Sequence, residues 1–314
     1  MNKRAHASED PASSRTVELL AALAPQEGYN PTSLAELRVL RADRPLPRMP
    51  VLQGPGILLV AQGRKRDYIA EDAAESDVGH YRLLTVPLPF FCEIEASEDK
   101  PLLAAHLRLD GKLVNELLRE TEQRSVELPA PRARIQVDLD AHMSASLQRL
   151  LEVAGDVTET RVLGRSLLRE IFFRTLSGAQ GGAWRAALSG KGRFGDVART
   201  IRLMISRHMQ PLTVARMARE AGMSVPVFHV HFRHATGSSP LQYLKSVRLH
   251  RARMLMQRHG LSAVSASGQV GYESASQFNR EFKRLFGLPP AEELLRMKRG
   301  GFALQPEEEL FIPA

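Results

Sequence analysis

The spacing of hydrophobic and polar residues changes character twice along this chain. Between residues 34 and 109, short apolar runs alternate with turn-forming residues, which is the pattern of β-strands. The candidate strands are 34–40, 56–62, 66–70, 80–88, 90–96 and 102–109. Many short strands separated by proline and glycine predict a β-barrel or a β-sandwich.

Helical periodicity surrounds this strand region. Residues 16–23 and 110–124 each predict one helix, and residues 139–177 predict two amphipathic helices. The first apolar stripe contains Leu139, Met143, Leu147, Leu150 and Leu151, and the second contains Val162, Leu163, Leu167, Leu168, Ile171 and Phe172. Such stripes fit either core packing or a homodimer contact, and the pattern leaves both open. A glycine-rich segment, 177–195, then indicates a linker.

The last third of the chain contains one pattern twice, fifty residues apart. Phe228, Phe232, Gly237 and Pro240 recur as Phe278, Phe282, Gly287 and Pro290, with Gly222 or Gly271 before each set. A small helix, a glycine corner and a helix with phenylalanine at i and i+4 indicate a helix-turn-helix unit. Helix 240–257, begun by Ser239 and Pro240, would hold the two units at a fixed separation. Sequence-specific binding to two neighbouring major-groove segments is therefore the leading function.

The charge distribution favours the same function. Residues 185–300 hold 20 basic and 6 acidic residues, a net charge of +14, whereas the remaining 23 basic and 29 acidic residues give −6. A basic excess that coincides with the repeat is the electrostatic pattern of a protein that binds a polyanion.

The phenylalanines define which residues face DNA. Because Phe228 and Phe232 share the inward face of one helix, and Phe278 and Phe282 that of the other, the remaining positions face outward. The candidates for base contacts are Pro226, His229, Val230, Arg233, Ser276, Asn279 and Arg280. The candidates for phosphate contacts are Ser224, Ser274, Gln277 and Lys283. Arginine suits guanine and asparagine suits adenine, while Ser224 is also the expected N-cap of its helix.

These residues resemble those of the AraC/XylS-type transcriptional regulators. The similarity is most specific in GYESASQFNREFKRLFGLPP (271–290) and extends to TGSSPLQYLKSVRL (236–249). QGRK (62–65) and residues 88–110 look like the AraC-type N-terminal domain of one large subgroup. The family implies an activator that binds double-stranded DNA, responds to a small organic effector, contacts RNA polymerase and forms a homodimer.

The family also implies an α+β organisation. We assign a cupin-like β-barrel to residues 15–130, a helical interdomain or dimerisation segment to 131–178, a linker to 179–195 and a seven-helix domain with two helix-turn-helix units to 196–300.

Two departures from the family pattern stand out. Val230 occupies a position that is often polar or basic in the family, so the first unit reads either a thymine methyl or DNA shape and phosphates. Gly268 weakens the scaffold helix at 262–269.

The remaining chemistry predicts no catalytic residue, metal or cofactor. His80, His106 and Cys92 lack the spacing of a cupin metal enzyme, and Cys92 fits a buried strand residue better than a redox sensor. One cysteine, a polar N-terminus without a signal peptide and no long apolar run favour a cytoplasmic protein with no membrane segment. Two alternatives stay open: a cupin-type metal enzyme fused to DNA-binding helices, and a regulator without an effector whose barrel serves to dimerise.

Overall fold

Within the described residues, ten antiparallel strands form two sheets in the N-terminal half. The computed structural model describes residues 11–70, 72–76, 78–121, 134–178, 180–190 and 192–298. The strands are β1 (Gly28–Pro31), β2 (Leu37–Ala42), β3 (Leu46–Gln53), β4 (Gly56–Gln62), β5 (Arg64–Ile69), β6 (Asp72–Ser76), β7 (His80–Leu84), β8 (Leu88–Glu95), β9 (Leu102–Arg108) and β10 (Arg134–Asp138). One sheet has the order β1-β2-β9-β4-β7-β10 and the other β3-β8-β5-β6.

The two sheets form a sandwich and not the closed barrel that the sequence analysis expected. Among the described strands, no ladder joins the six-stranded sheet to the four-stranded sheet, so each keeps two free edges. Leu58 and Leu84 of the larger sheet pack in one core with Phe90 and Ile94 of the smaller sheet. All six predicted strands are present, and the α+β class is confirmed.

In the described ranges up to residue 190, five helices pack on the outer face of the six-stranded sheet or lie next to it along the chain. They are α1 (Pro11–Leu23), α2 (Gly111–Glu120), α3 (Ala141–Val153), α4 (Val157–Ser177) and α5 (Gly181–Ser189). Aspartates 110, 140 and 156 cap α2, α3 and α4 by accepting hydrogen bonds from backbone N–H groups. The outer face of the sheet and the inner faces of these helices make a second core.

The apolar stripes of α3 and α4 are only partly core. In α3, Met143, Leu147, Leu150 and Leu151 are buried, as are Leu168, Ile171 and Phe172 in α4. Val162 and Leu163, however, are 69% and 46% exposed. Gly164 lies on the inward face of α4, where a Cβ would lie 3.2 Å from Leu34 Cδ1. With Gly164 facing inward, the helix turns Val162 and Leu163 outward.

The glycine-rich segment is helical where a linker was expected. Trp184 on α5 is fully buried, and its Nε1 donates to Leu84 O at 3.1 Å. Gly181 begins α5 so close to α4 that a Cβ there would lie 2.3 Å from Leu176 O. The glycine therefore allows a close helix connection, and α5 fastens the start of the C-terminal half to the sheet.

Among the described residues, seven helices make up the C-terminal half, as the family resemblance implied. They are α6 (Gly192–Ser206), α7 (Val214–Glu220), α8 (Val225–Thr236), α9 (Pro240–His259), α10 (Ala263–Gln269), α11 (Ala275–Phe286) and α12 (Pro290–Lys298). Phe228, Phe232 and Tyr243 belong to the same core as the sandwich interior, whereas Phe278 and Phe282 belong to a separate one. In the part of the chain that the structure describes, no helix has the length and apolar character to cross a bilayer.

Candidate nucleic-acid interface

Helices α7–α8 and α10–α11 form two helix-turn-helix units. Gly222 and Gly271 turn the chain between the helices of each unit with φ of +63° and +83°, a backbone conformation that strongly favours glycine. Gly271 is required for a second reason, because a Cβ there would lie 2.5 Å from Met209 O. The corner of the second unit therefore lies directly against the chain that leads into the first unit.

The second helix of each unit presents the predicted outward face. Phe228, Phe232, Phe278 and Phe282 are all fully buried. Of the base-contact candidates, Pro226, Val230, Arg233, Ser276, Asn279 and Arg280 are exposed and His229 is half-buried. Recognition helices of this type contact base edges from their N-terminal turns. The structure thus brings these candidates together on two accessible faces, while their contacts with bases remain a prediction.

The phosphate candidates lie at the helix starts and along the same faces. Ser274 caps α11, since its side chain accepts a hydrogen bond from Gln277 N at 3.3 Å. Ser224 occupies the N-cap position of α8 as predicted, but its side chain makes no capping hydrogen bond. Its exposed hydroxyl is available to a phosphate oxygen, together with the free N–H groups of the first turn. Lys283 is exposed on the last turns of α11.

An acidic residue on α11, missed in the sequence analysis, organises the second unit. Glu281 accepts hydrogen bonds from Lys245 Nζ at 2.7 Å, Tyr272 Oη at 2.8 Å and Gln277 Nε2 at 3.2 Å. Partial burial pushes the pKa of Glu281 upward, but these three donors hold it below its ordinary value. Glu281 therefore neutralises Lys245 and orients Gln277. The position of Glu281, three residues after the buried Phe278, was the sequence feature that could have indicated that this side of α11 faces protein.

Helix α9 holds the two units at a fixed separation. It has 20 residues, a length of about 30 Å. The guanidinium of Arg248, at mid-helix, donates to His208 O at 2.7 Å, Gln210 O at 2.9 Å and Gly271 O at 3.1 Å. The first two carbonyls precede the first unit and the third is the corner of the second. One side chain therefore ties both units to α9.

The end of α9 is also tied to the last helix. Glu293 on α12 is fully buried, and its carboxylate pairs with Arg253 of α9 and Arg296 of α12, each at 2.8 Å. Burial lowers the pKa of Arg253, which the pairing with Glu293 partly offsets. A fully buried carboxylate needs such partners, so removal of Arg253 and Arg296 would leave an uncompensated buried charge and destabilise the second unit.

The sandwich interior contains a buried cluster with more positive than negative charge. The carboxylate of Asp67 pairs with Lys65 Nζ and Arg82 Nη1, and all three side chains are at most 3% exposed. Nζ of Lys65 lies 5.2 Å from the centre of the Phe90 ring. Ser76, the register partner of Lys65 on the next strand, has a buried hydroxyl with no hydrogen-bond partner among the described residues.

The possible metal or redox residues do not form a site. His106 and Cys92 lie on different sheets, and His80 Nε2 lies 3.2 Å from Asp138 Oδ1. The described ranges contain no group of three side chains suited to a metal ion. Burial raises the pKa of the Cys92 thiol to about 12, opposed by nearby Lys65, and the side chain is fully buried. A sensor cysteine needs an accessible thiolate, so this environment argues against redox sensing.

Comparisons with known proteins agree with this geometry. Residues 33–183 match the AraC-type transcriptional regulator N-terminus, and residues 217–296 match a helix-turn-helix domain. The virulence regulon transcriptional activator VirF of Yersinia enterocolitica is 24% identical over 214 residues, which are 68% of this chain and 72% of VirF. The activator RclR of Escherichia coli K12 is 37% identical over 87 residues, 28% of this chain and 31% of RclR.

A solved structure has the same fold over most of the chain. Unsaturated fatty acid-bound ToxT from Vibrio cholerae strain SCE256 superimposes with a TM-score of 0.57 at 15% sequence identity. The match covers 82% of this chain and 94% of the ToxT chain. The fold of this chain, with its β-rich N-terminal half and helical C-terminal half, is therefore shared with ToxT.

Proposed function

We propose that this chain, which belongs to the AraC family of DNA-binding transcriptional regulators, is an activator that reads one bipartite DNA site and responds to a small organic acid. The observation that carries the DNA-reading part is the Arg248 clamp on α9. Because one guanidinium holds the carbonyls before the first unit and at the corner of the second, the two recognition helices cannot move independently.

A rigid pair of units has a direct experimental consequence. A duplex selected from a random library with the full chain should lose binding when about 5 base pairs, half a helical turn, are inserted between its two contacted segments. The Arg248→Ala variant should bind the selected duplex more weakly but tolerate the insertion better. It lacks the three hydrogen bonds by which Arg248 holds His208, Gln210 and Gly271 together. If the intact protein binds both duplexes equally, the units read DNA independently and the clamp has no such role.

The buried charge cluster supports an acidic effector. Lys65 and Arg82 share the single carboxylate of Asp67, and the partnerless hydroxyl of Ser76 lies on the register partner of Lys65. A carboxylate would balance the excess positive charge and accept these hydrogen bonds. The fatty acid in the ToxT structure has this chemistry. We therefore place the effector inside the sandwich, within residues 15–130.

A matched pair of ligands tests this assignment. A hexadecenoic acid should raise the melting temperature of the full chain, and the corresponding alcohol should not. A ligand present at 100 times its Kd adds about 2.7 kcal/mol to the free energy of unfolding. Lys65→Met should remove the response, while Lys112→Met, on the exposed side of α2, should keep it. Equal stabilisation by acid and alcohol, or an unchanged response in Lys65→Met, would contradict a carboxylate site at Lys65.

The exposed side of α4 supports self-association. Val162, Leu163 and Phe173 are 69%, 46% and 42% exposed, which leaves apolar surface on the helix that the sequence pattern also offered as a dimer contact. Sedimentation should show a dimer at tens of micromolar, weakened by Val162→Glu and not by Val78→Glu, a change at an exposed valine elsewhere. A monomer at that concentration would exclude the dimer.

The remaining partners follow from the family. An activator acts by contacting RNA polymerase, and access to DNA implies a cytoplasmic protein. The relatives named above are transcriptional regulators, and no observation favours a metal enzyme fused to DNA-binding helices.

A further inference from the structure

The two recognition helices carry different chemistry at equivalent positions. The fifty-residue repeat aligns α8 with α11 without gaps, because both helices span 12 residues and end at a glycine in the left-handed conformation. Val230 is therefore the equivalent of Arg280, Val227 of Gln277, and Pro226 of Ser276. At these positions α11 presents polar groups that are able to hydrogen-bond to bases or phosphates, whereas α8 presents hydrocarbon.

This hydrocarbon is accessible on the part of α8 that enters a groove. Val230 is 68% exposed, and Val225 and Val227 are each 39% exposed. Isolated apolar side chains are common on protein surfaces, but these three lie within the first two turns of one helix, next to the exposed Pro226. The N-terminal turns of a recognition helix are the part that contacts base edges in the major groove.

One chemical group in the major groove matches an exposed isopropyl group. Thymine carries a 5-methyl group there, and apolar side chains contact it. Guanine and cytosine carry no methyl group at that edge, and burying Val230 against guanine O6 and N7 or cytosine N4 would leave those polar atoms without partners. We propose that α8 recognises thymine through its 5-methyl group, with Val230 as the main contact, at the base pair equivalent to the one that Arg280 reads. This inference rests on the proposed DNA-reading function.

The surroundings of Val230 support this mode of binding. Arg233, one turn later, is exposed and supplies positive charge towards the backbone, while the hydroxyl of Ser224 at the helix start makes no capping bond. Phosphate contacts at both ends would position α8, and the apolar turns between them would meet the bases. The first half of the DNA site should then be rich in thymine, and the second half should depend on guanine or adenine.

The experiment removes the methyl group and changes nothing else. Each thymine of the duplex selected by the full chain is replaced in turn by uracil, which keeps all hydrogen-bonding groups but lacks the methyl group. For the intact protein, we expect one or two replacements in one half of the site to weaken binding about fourfold each, the effect of one buried methyl group. In Val230→Ala, the same replacements should have little effect, whereas Val78→Ala, at an exposed valine outside the C-terminal half, should behave like the intact protein.

A second variant tests the equivalence of the two helices. Val230→Arg gives α8 the residue that α11 has at Arg280, so preference at that base pair should change from thymine to guanine. Specific binding by the intact protein with no uracil-sensitive position would overturn thymine recognition alone, and the valines would then serve another surface, such as a contact with polymerase. Absence of any sequence-specific binding by the full chain would overturn the proposed function as well.

Discussion

Tyr243 offers the most direct test of how the two halves of the protein are joined. It lies on α9, its ring is fully buried, and its hydroxyl donates to Pro87 O, just before β8, at 2.5 Å. Burial raises the pKa of this phenol, so the hydroxyl stays protonated and donates at any physiological pH. Tyr243→Phe removes this single oxygen and leaves the edge-to-face contact of the ring with Phe232, at 5.4 Å between centroids, intact.

The size of the effect follows from this geometry. The carbonyl of Pro87 would stay buried after losing its donor, which costs about 1–3 kcal/mol. For proteins of about 150–250 residues, each kcal/mol corresponds to roughly 2–4 °C in Tm, and this longer chain should lie at the lower end. Tyr272→Phe is a matched control, since its hydroxyl donates to Glu281 Oε2 at 2.8 Å within the second unit.

Hydrogen exchange distinguishes a loss of docking from a general loss of stability. In Tyr243→Phe, faster exchange should appear in β8 and in α8 and α9, on both sides of the broken bond. In Tyr272→Phe, it should be confined to α10–α12. If Tyr243→Phe changes Tm by no more than measurement error, or if exchange rises only in the C-terminal half, the hydrogen bond does not hold the two halves together and the reasoning fails.

Five further changes test the C-terminal half. Arg280→Ala should weaken binding to the selected duplex by about 1–3 kcal/mol and relax the base preference at one or two base pairs. Lys283→Ala should weaken binding to all duplexes alike and reduce the slope of log affinity against log salt concentration by about one. Equal effects of Arg280→Ala on specific and non-specific DNA would make Arg280 a phosphate contact. Gly268→Ala should stabilise α10 by about 0.5–1 kcal/mol in urea unfolding, because its Cβ meets no atom within 4 Å. Gly195→Ala should destabilise α6, because its Cβ would lie 2.4 Å from backbone; a stabilised Gly195→Ala would contradict this packing. The pKa of Glu281 is lowered in the folded state, so its contribution is present above the unfolded pKa of about 4.3 and is lost as pH falls through the folded value. Glu281→Gln should therefore reduce the fall in Tm between about pH 5 and pH 3, and an unchanged slope would exclude this role.

Local periodicity accounts for the parts that the sequence predicted well. The spacing of Phe228 and Phe232 places both on one face of α8 in any regular helix, so the outward residues follow by elimination. The same holds for α11, and the glycine corners follow from backbone conformation alone. Strands β4 and β9 were equally clear because they are mostly apolar and lie buried in the middle of the six-stranded sheet.

The parts that were missed depend on contacts between distant segments. Strand β3 was missed because its sequence, LPRMPVLQ, contains two prolines, which the structure accommodates because β3 is an edge strand. Lys65 and Asp67 lie two residues apart on β5, the spacing of an exposed polar face. They nevertheless point into the sandwich, where Arg82 of β7 pairs with Asp67 and completes the buried cluster. Trp184 lies among glycines that suggested a linker, and its contacts are with distant residues: its ring packs on Phe172 and its Nε1 donates to Leu84 O, 100 residues away.

The division of the C-terminal half between two cores has a mechanical consequence. The core that contains Phe90 and Leu88 of the sandwich continues without a break through Tyr243 and Phe232 to Phe228, beneath the outward face of α8. The core beneath α11 contains no sandwich residue and connects to the first unit through α9. Because protein interiors are close-packed, a change in side-chain packing near Lys65, which lies over the Phe90 ring, must be accommodated along the first route. It reaches the second unit through α9 with its Arg248 clamp and through the contact between α11 and β3. A ligand that repacks the sandwich interior would thus act on α8, the helix that carries Val230, through a continuous core, and on α11 through α9 and β3.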